Sequence, residues 1–110
     1  MTNTELYNIL KTLESSQTNP ISVFSVRSKL GTALPYLVIL YGGTDNLFAD
    51  DKVFKIEQEI TLELYTVAKN DTLETIVETL LDNNGLPWNK DEAYDYDGQF
   101  YITYYYLIRR

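Results

Sequence analysis

Residues 53–67, VFKIEQEITLELYTV, alternate between apolar and polar side chains over most of their length. Side chains on a β-strand point to opposite faces in turn, so this period predicts a strand with one buried face and one polar face. The apolar set occupies even positions, interrupted by Gln58: Phe54, Ile56, Ile60, Leu62 and Leu64. The polar set occupies odd positions: Lys55, Glu57, Glu59, Thr61 and Glu63. The segment therefore predicts a half-buried strand whose second face is acidic.

The stretch 71–81, DTLETIVETLL, has the spacing of an amphipathic helix. Its apolar residues recur at i, i+3, i+4, i+7 and i+8: Leu73, Ile76, Val77, Leu80 and Leu81. Asp71 followed three residues later by Glu74 predicts a capped N-terminus, and residues 82–85 (DNNG) suit a helix C-terminus. We expect a helix over about 71–82 whose stripe packs on the apolar face of the strand.

The other segments complete an α+β domain. Residues 3–14 carry a second helical stripe and begin beside threonines that can cap a helix. Further strands are expected over 21–27 (ISVFSVR), 36–41 (YLVILY) and 99–108 (QFYITYYYLI), with loops over 29–35, 44–52 and 89–97. The predicted fold is a single domain, residues 1–110, in which a mostly antiparallel sheet of about four strands packs against the helix. Strand 36–41 is expected to pair antiparallel with the long strand.

The composition excludes several classes of site. Because Cys and His are both absent, the chain has no disulfide, no thiolate zinc site and no imidazole for proton transfer near neutral pH. With a net charge of −7 and nine basic residues, sequence-specific binding to nucleic acid is not expected. No apolar run approaches the roughly 20 residues of a membrane span, and the N-terminus lacks the basic region of a signal peptide. We expect neither an enzyme nor a cofactor, and no membrane contact.

Three glutamates, Glu57, Glu59 and Glu63, share the polar face of the long strand. The simplest interpretation is the solvated face of a half-buried strand. An acidic wall inside an assembly is one alternative, and a carboxylate-based active site is the other, because neighbouring carboxylates shift each other's pKa. The acids near residues 45–51 do not have the spacing of a calcium-binding loop, and we expect no metal site.

The predicted 44–52 loop contains two large apolar residues, Leu47 and Phe48, next to Asp50. A loop does not need such residues for solubility. They either fold back onto the domain or reach a partner, and single exposed apolar residues are common enough to leave both interpretations open.

Ten tyrosines are present, and Tyr101 and Tyr105 are among several in the last strand. Tyrosines on a sheet can pack across strands, form a subunit interface or stack on nucleic-acid bases. Base stacking needs basic neighbours, and only Arg109 and Arg110 are close, so packing or an interface is preferred. The acidic stretch 91–97 is either a docking edge or a solvated loop.

Several short stretches occur in an order that is familiar from one protein family. They are PYLVI (35–39), NLFADDKVF (46–54), LELYT (62–66), the acidic helix at 71–81 and the tyrosine-rich last strand. This order resembles the tail terminator proteins, also called tail completion or head–tail joining proteins, of long-tailed siphophages. The resemblance spans about residues 34–108, with Leu34 where a first proline is usual and Asp51 where an asparagine is usual.

The resemblance implies an α+β subunit that forms a ring, typically a hexamer, on the end of the tail tube protein and contacts the head connector protein. DNA would pass through the ring without specific binding, and the protein would belong to the virion tail after assembly in the host cytoplasm. The candidate passage-lining acids are Glu57, Glu59 and Glu63. The candidate contacts to a neighbouring subunit or to the tube are Leu47, Phe48, Asp50, Tyr101 and Tyr105.

Two other hypotheses remain open. The chain could be a monomeric binding or inhibitor module that applies its tyrosine-rich sheet to a host protein. It could also be a carboxylate enzyme that uses the three strand glutamates.

Overall fold

The computed structural model describes the backbone of residues 2–25, 33–49 and 52–109, and the side chains within these ranges except 43–49, 52–58 and 108–109. The described part contains two α-helices and five strands. In chain order they are α1 (Asn3–Lys11) with a 3₁₀ helix after it (Thr12–Ser15), β1 (Ser22–Ser25), β2 (Tyr36–Ala49), β3 (Lys52–Thr66), α2 (Asp71–Asn83), β4 (Trp88–Asp95) and β5 (Phe100–Arg109). The strands form one sheet in the order β1-β2-β3-β5-β4, which confirms the α+β fold with five strands in place of about four.

β3 lies at the centre of the sheet and is antiparallel to both of its neighbours, β2 and β5. Only the β1–β2 pair is parallel among the strands described. Ile60, Leu62 and Leu64 of β3 are buried in the main hydrophobic cluster, as the alternation predicts. The same cluster takes residues from both helices and from β2: Leu6, Leu10, Leu37, Ile39, Leu73, Val77 and Leu81. Both helices therefore cover the same face of the sheet.

Short-range hydrogen bonds set the start of each helix. Thr2 caps α1, since its Oγ1 accepts a bond of 3.1 Å from the backbone N–H of Glu5. In α2 the cap is Asn70, whose Oδ1 accepts a bond of 3.1 Å from the N–H of Leu73. The predicted cap at Asp71 is therefore wrong by one residue, because an asparagine directly before it can accept the same bond.

The predicted loop at 89–97 is wrong, because β4 occupies most of it as the edge strand beside β5. Its sequence, WNKDEAYD, lacks the apolar alternation of β3. Lys90 and Glu92 lie on the helix-covered face, where charged partners from other segments satisfy them in place of an apolar core. An edge strand of this kind gives no periodic apolar signal in the sequence.

The predicted loop at 44–52 is also wrong, since β2 continues to Ala49 and β3 begins at Lys52. Two irregularities, between Tyr41 and Thr44 and between Leu47 and Phe48, interrupt the pairing without ending it. Gly42 belongs to the first of them, and a Cβ atom there would lie 3.2 Å from the carbonyl oxygen of Glu59. The glycines at 42–43 suggested the end of a strand in the sequence, but in the structure they lie at a β-bulge within a strand that continues.

Candidate interaction surfaces

The outer halves of β2 and β3, residues 44–49 and 52–57, form a two-stranded segment that we call the arm. β5 stops pairing with β3 at Gln58, opposite Arg109, so no third strand follows the arm among the described residues. At about 3.3 Å per residue the arm extends about 20 Å beyond that pair. The molecule accordingly measures 50 × 30 × 24 Å. Two-stranded ribbons are marginally stable alone, so the arm is the part of the fold that most needs another surface.

Two of the predicted contact residues, Leu47 and Phe48, lie in the arm, where their backbones are paired with Lys55 and Val53. Asp50 lies outside the described residues. A strand that runs away from the sheet carries the two apolar residues, instead of a loop folded over the domain. The backbones of the two residues therefore lie in a paired strand and not in the loop expected from the sequence.

The face of the sheet opposite the helices, which we call the open face, carries a row of aromatic rings. The described helices leave this face uncovered. Phe24, Tyr36, Tyr65 and Phe100 form the row across β1, β2, β3 and β5, with successive centroid separations of 6.1, 4.7 and 5.4 Å. The Tyr36 and Tyr65 rings are stacked at 23°. Aromatic pairs of this kind fix a rigid, amphipathic surface at the end of the sheet where β2 begins.

The three acids that the sequence predicts to line a passage all belong to β3. Glu63 is half-buried on the open face, where its Oε1 accepts a bond of 2.9 Å from the Tyr65 hydroxyl. Glu59 is exposed, and the backbone of Glu57 pairs with Asp45 in the arm. Glu59 and Glu63 are about 13 Å apart along the strand, too far to share a proton as catalytic carboxylate pairs do. Glu59 and Glu63 therefore do not form a carboxylate pair of the catalytic kind.

Of the two predicted tyrosine contacts, Tyr105 requires a correction. Its side chain is fully buried on the helix-covered face, edge-on to Trp88 at a centroid separation of 5.6 Å. Its hydroxyl donates a bond of 2.8 Å to Glu78 Oε2, so no part of it is available to another subunit. Alternation separates the two faces of β5 but does not say which one α2 covers. Tyr101 is half-buried on the same face, with its ring centroid 5.7 Å from Lys69 Nζ.

A cluster of charged residues that the sequence did not predict joins α2 to β4. Its members, which we call the salt-bridge cluster, are Lys69, Glu74, Glu78, Lys90 and Glu92. Glu74 is only 3% exposed, and its Oε1 accepts bonds of 2.8 Å from Lys69 and 3.0 Å from Lys90. Lys90 also lies 3.0 Å from Glu78 Oε2, and Lys69 is paired with Glu92. The sequence feature that could have indicated this cluster is the i, i+4 spacing of Glu74 and Glu78, but the same spacing is common on solvated helices.

The two lysines of the cluster and the neighbouring Tyr105 hold their protons firmly. Hydrogen bonds to Glu74 raise the pKa of both Lys69 and Lys90, and the bond from Lys69 lowers the pKa of Glu92. Burial, reinforced by the bond to Glu78, raises the pKa of Tyr105. Near neutral pH the lysines are therefore charged and the phenol is neutral. These groups are suited to fixing β4 against α2 and poorly suited to accepting a proton in a reaction.

Other site types receive little support from the described residues. Over 2–25, 33–49 and 52–109, no group of three or more acids has the arrangement of a metal site, and no helix is long and apolar enough to cross a membrane. One cavity of about 250 Å³ lies at the start of α2 and another of about 330 Å³ lies beside α1. The first is lined mainly by Pro35, Thr66, Val67, Ala68, Lys69 and Leu73, and the second by Asn3, Thr4, Tyr7, Ser25 and Tyr41. Among the described residues, neither lining contains a carboxylate.

Among the described residues, the arm and the open face are thus the candidate surfaces for a macromolecular partner. The order of sequence motifs resembles that of siphophage tail terminators, and this resemblance is a prediction from the residues alone. Comparison of the chain with models of known protein families and with curated protein sequences finds no match.

Proposed function

We propose that this chain is a structural virion protein of a long-tailed phage, a tail terminator that caps the tail tube and joins it to the head connector. It acts as a ring, typically a hexamer, with a passage for DNA. The arm is the observation that carries the proposal. It projects about 20 Å from the sheet as a ribbon of two strands, a form that gains stability from a neighbouring surface.

An arm that reaches a different surface on the next subunit makes a head-to-tail contact. Contacts of this type close into rings when the rotation between subunits allows it. Leu47 and Phe48 give the arm apolar side chains for that contact, while the body of the subunit keeps its own core. The arm would supply the contact between subunits or between the ring and the tube.

The acidic balance of the chain supports a passage for DNA. The net charge is −7, and Glu57, Glu59 and Glu63 share one strand that begins in the arm. Carboxylates along a wall repel phosphates and keep the passing duplex from binding. In this proposal the three glutamates line the passage, and no cofactor or catalytic step is involved.

The test uses purified protein and isolated tail tubes that lack their terminator. Light scattering coupled to size exclusion, over a range of protein concentrations, gives the mass in solution, and electron microscopy shows whether tubes are capped and joined to heads. We expect the parent to cap tubes and Leu47→Ser with Phe48→Ser to lose capping. Val67→Ser is the matched control, because Val67 is 69% exposed on the body of the subunit.

Circular dichroism checks that all three proteins are folded. A parent that stays monomeric and leaves the tubes uncapped would overturn the proposal. A phage that lacks the gene should show tails of uncontrolled length, or heads and tails left unjoined, under the electron microscope.

The aromatic row on the open face favours a second candidate, a monomeric module that binds or inhibits a host protein. Tyrosine and phenylalanine supply large, rigid contact areas at interfaces. A defined host partner, together with normal tails after deletion of the gene, would favour this candidate over the ring.

A further inference from the structure

Three side chains line up across the open face on adjacent strands: Asp91 on β4, Tyr104 on β5 and Glu63 on β3. The register places Asp91 and Glu63 directly opposite Tyr104 on its two sides. Lys90 precedes Asp91 and Tyr105 follows Tyr104, and both contact Glu78 of α2. Asp91 and Tyr104 therefore point to the opposite face, which is the open face. We infer that this acidic–aromatic row binds the guanidinium or ammonium group of a basic segment in a partner protein.

The chemistry of the row suits a cation in two ways. The face of a tyrosine ring attracts a cation placed within about 6 Å of its centroid, and arginine is the commonest such partner. Cβ atoms of directly opposite residues are about 4.5–5.5 Å apart, so the register sets one acidic side chain on each side of the Tyr104 ring. Carboxylate–guanidinium contacts are strong charge-assisted hydrogen bonds.

The surroundings of Tyr104 are consistent with a negative potential. Burial raises the pKa of its phenol, and the charges of Glu63, Asp91 and Asp95 raise it further. A potential that opposes a phenolate favours a cation at the same place.

The acids of the row do not have a lysine or arginine partner of their own in the described part of the chain. Glu63 accepts the Tyr65 hydroxyl at 2.9 Å, and Asp91 Oδ1 accepts the N–H of Glu92 at 2.9 Å. The lysines of the salt-bridge cluster lie on the helix-covered face. An external cation would therefore add charge neutralisation that these two bonds do not provide.

The same row argues against nucleic acid as the occupant. Tyrosine platforms for bases work together with basic residues that bind phosphates, whereas here carboxylates flank the ring. The inference goes beyond the ring proposal and does not depend on it, and the two differ at one residue, because the inference assigns Glu63 to a protein contact instead of to the wall of the passage.

The test is an NMR titration of the full chain at low salt with the peptide acetyl-Gly-Arg-Gly-Arg-Gly-amide. The same peptide with citrulline in place of arginine, which keeps the shape and removes the charge, is the matched ligand. We expect shifts centred on the Tyr104 ring with the arginine peptide, and affinity that falls as salt is added. The citrulline peptide should bind at least about tenfold more weakly.

Variants assign the binding to the row. Glu63→Gln with Asp91→Asn, and separately Tyr104→Leu, should each weaken the arginine peptide by about tenfold or more. Asp71→Asn removes one charge from the helix-covered side and should leave affinity within about twofold, since the site is distant. Dispersed amide spectra show that each variant is folded.

Equal binding of the two peptides, unchanged affinity in the row variants, or no shifts at Tyr104 would each overturn the inference. Tighter binding of a single-stranded thymidine octamer than of the arginine peptide would assign the face to nucleic acid instead. Self-association of the parent that the row variants abolish would assign it to a second copy of the chain.

Discussion

Lys90 Nζ lies 3.0 Å from Glu74 Oε1, so the edge strand β4 is joined to α2 through a carboxylate that is almost completely buried. We expect Lys90→Met to lower the free energy of unfolding by about 1–3 kcal/mol, because Glu74 then stays buried with one cationic partner fewer. Urea unfolding at pH 7, followed by circular dichroism, measures the change.

The control for this variant is Asp71→Asn. Asp71 is 87% exposed and its Oδ1 is 3.8 Å from Lys69 Nζ, so the loss should be below about 0.5 kcal/mol. Similar losses in the two variants would mean that the salt-bridge cluster does not stabilise the contact between β4 and α2.

The decrease in the free energy of unfolding at alkaline pH should depend on Tyr105. Burial and the bond to Glu78 raise its pKa in the folded chain above the ordinary value of 10.0, so the folded state keeps a proton that the unfolded state releases. This contribution is complete below pH 10 and is lost as the pH rises toward the folded-state pKa. In Tyr105→Phe we expect the decline between pH 10 and 11 to be shallower by up to about 1.4 kcal/mol per pH unit.

The same variant loses a hydrogen bond and should be about 1 kcal/mol less stable at pH 7. Tyr96→Phe, at a ring that is 83% exposed, controls for the loss of a surface hydroxyl. An alkaline slope unchanged from that of the parent in Tyr105→Phe would contradict the prediction. Denaturant unfolding at a series of pH values provides the slopes.

Asn70, and not Asp71, should contribute the cap of α2. Because the Asn70 Oδ1 accepts the N–H of Leu73, Asn70→Ala should cost about 1 kcal/mol of stability. Asp71→Ala should cost about 0.5 kcal/mol, since this exposed acid interacts with the helix dipole and, at 3.8 Å, weakly with Lys69. Thermal or urea unfolding of both variants decides the order, and a larger loss at Asp71 would restore the assignment made from the sequence.

The packing of α2 on β3 should carry a large share of the stability. Leu62 and Leu81 are fully buried in the same cluster, and replacing either with Ala should cost about 2–5 kcal/mol. Val67→Ala, at an exposed position, should change stability by less than about 0.5 kcal/mol. Losses below 1 kcal/mol at both leucines would mean that the helix contributes little to the core.

The parts of the fold that follow an apolar period were predictable from the sequence. Val77 of α2 and Leu62 of β3 are buried in the same cluster. The apolar stripe of the helix, with a period of 3.6 residues, packs there on the apolar face of the strand, which has a period of 2.0 residues. Strand β2 was predicted only as far as Tyr41, since Gly42 interrupts the pattern and indicates a strand end. The β-bulge at Gly42 brings the backbone of this glycine close to Glu59. Glu59 is distant in sequence, so the pattern of residues around Gly42 does not reveal the contact.

Elements held by charge were not predictable in the same way. β4 pairs with β5 along its whole length, and Lys90 joins it to two carboxylates on α2 that lie 12 and 16 positions away in sequence. A separate long-range contact, with Glu78 27 positions away, accompanies the burial of Tyr105, which the alternation of β5 assigned only to one of two faces. For the open face, the register that sets Asp91 and Glu63 beside Tyr104 needed the order of the strands, which the sequence left undetermined.

The arm also has a mechanical consequence. It is continuous with β2 and β3, the two longest strands, and β3 is the centre of the sheet. A pull on the arm along its axis is therefore carried by the covalent backbone into the core, where Leu62 is held on both sides by strand pairing. The backbone hydrogen bonds there are perpendicular to the strands and share the load as a set, instead of opening one after another. Tension applied to the arm would therefore reach the core through the backbone of β3 and its hydrogen bonds to β2 and β5.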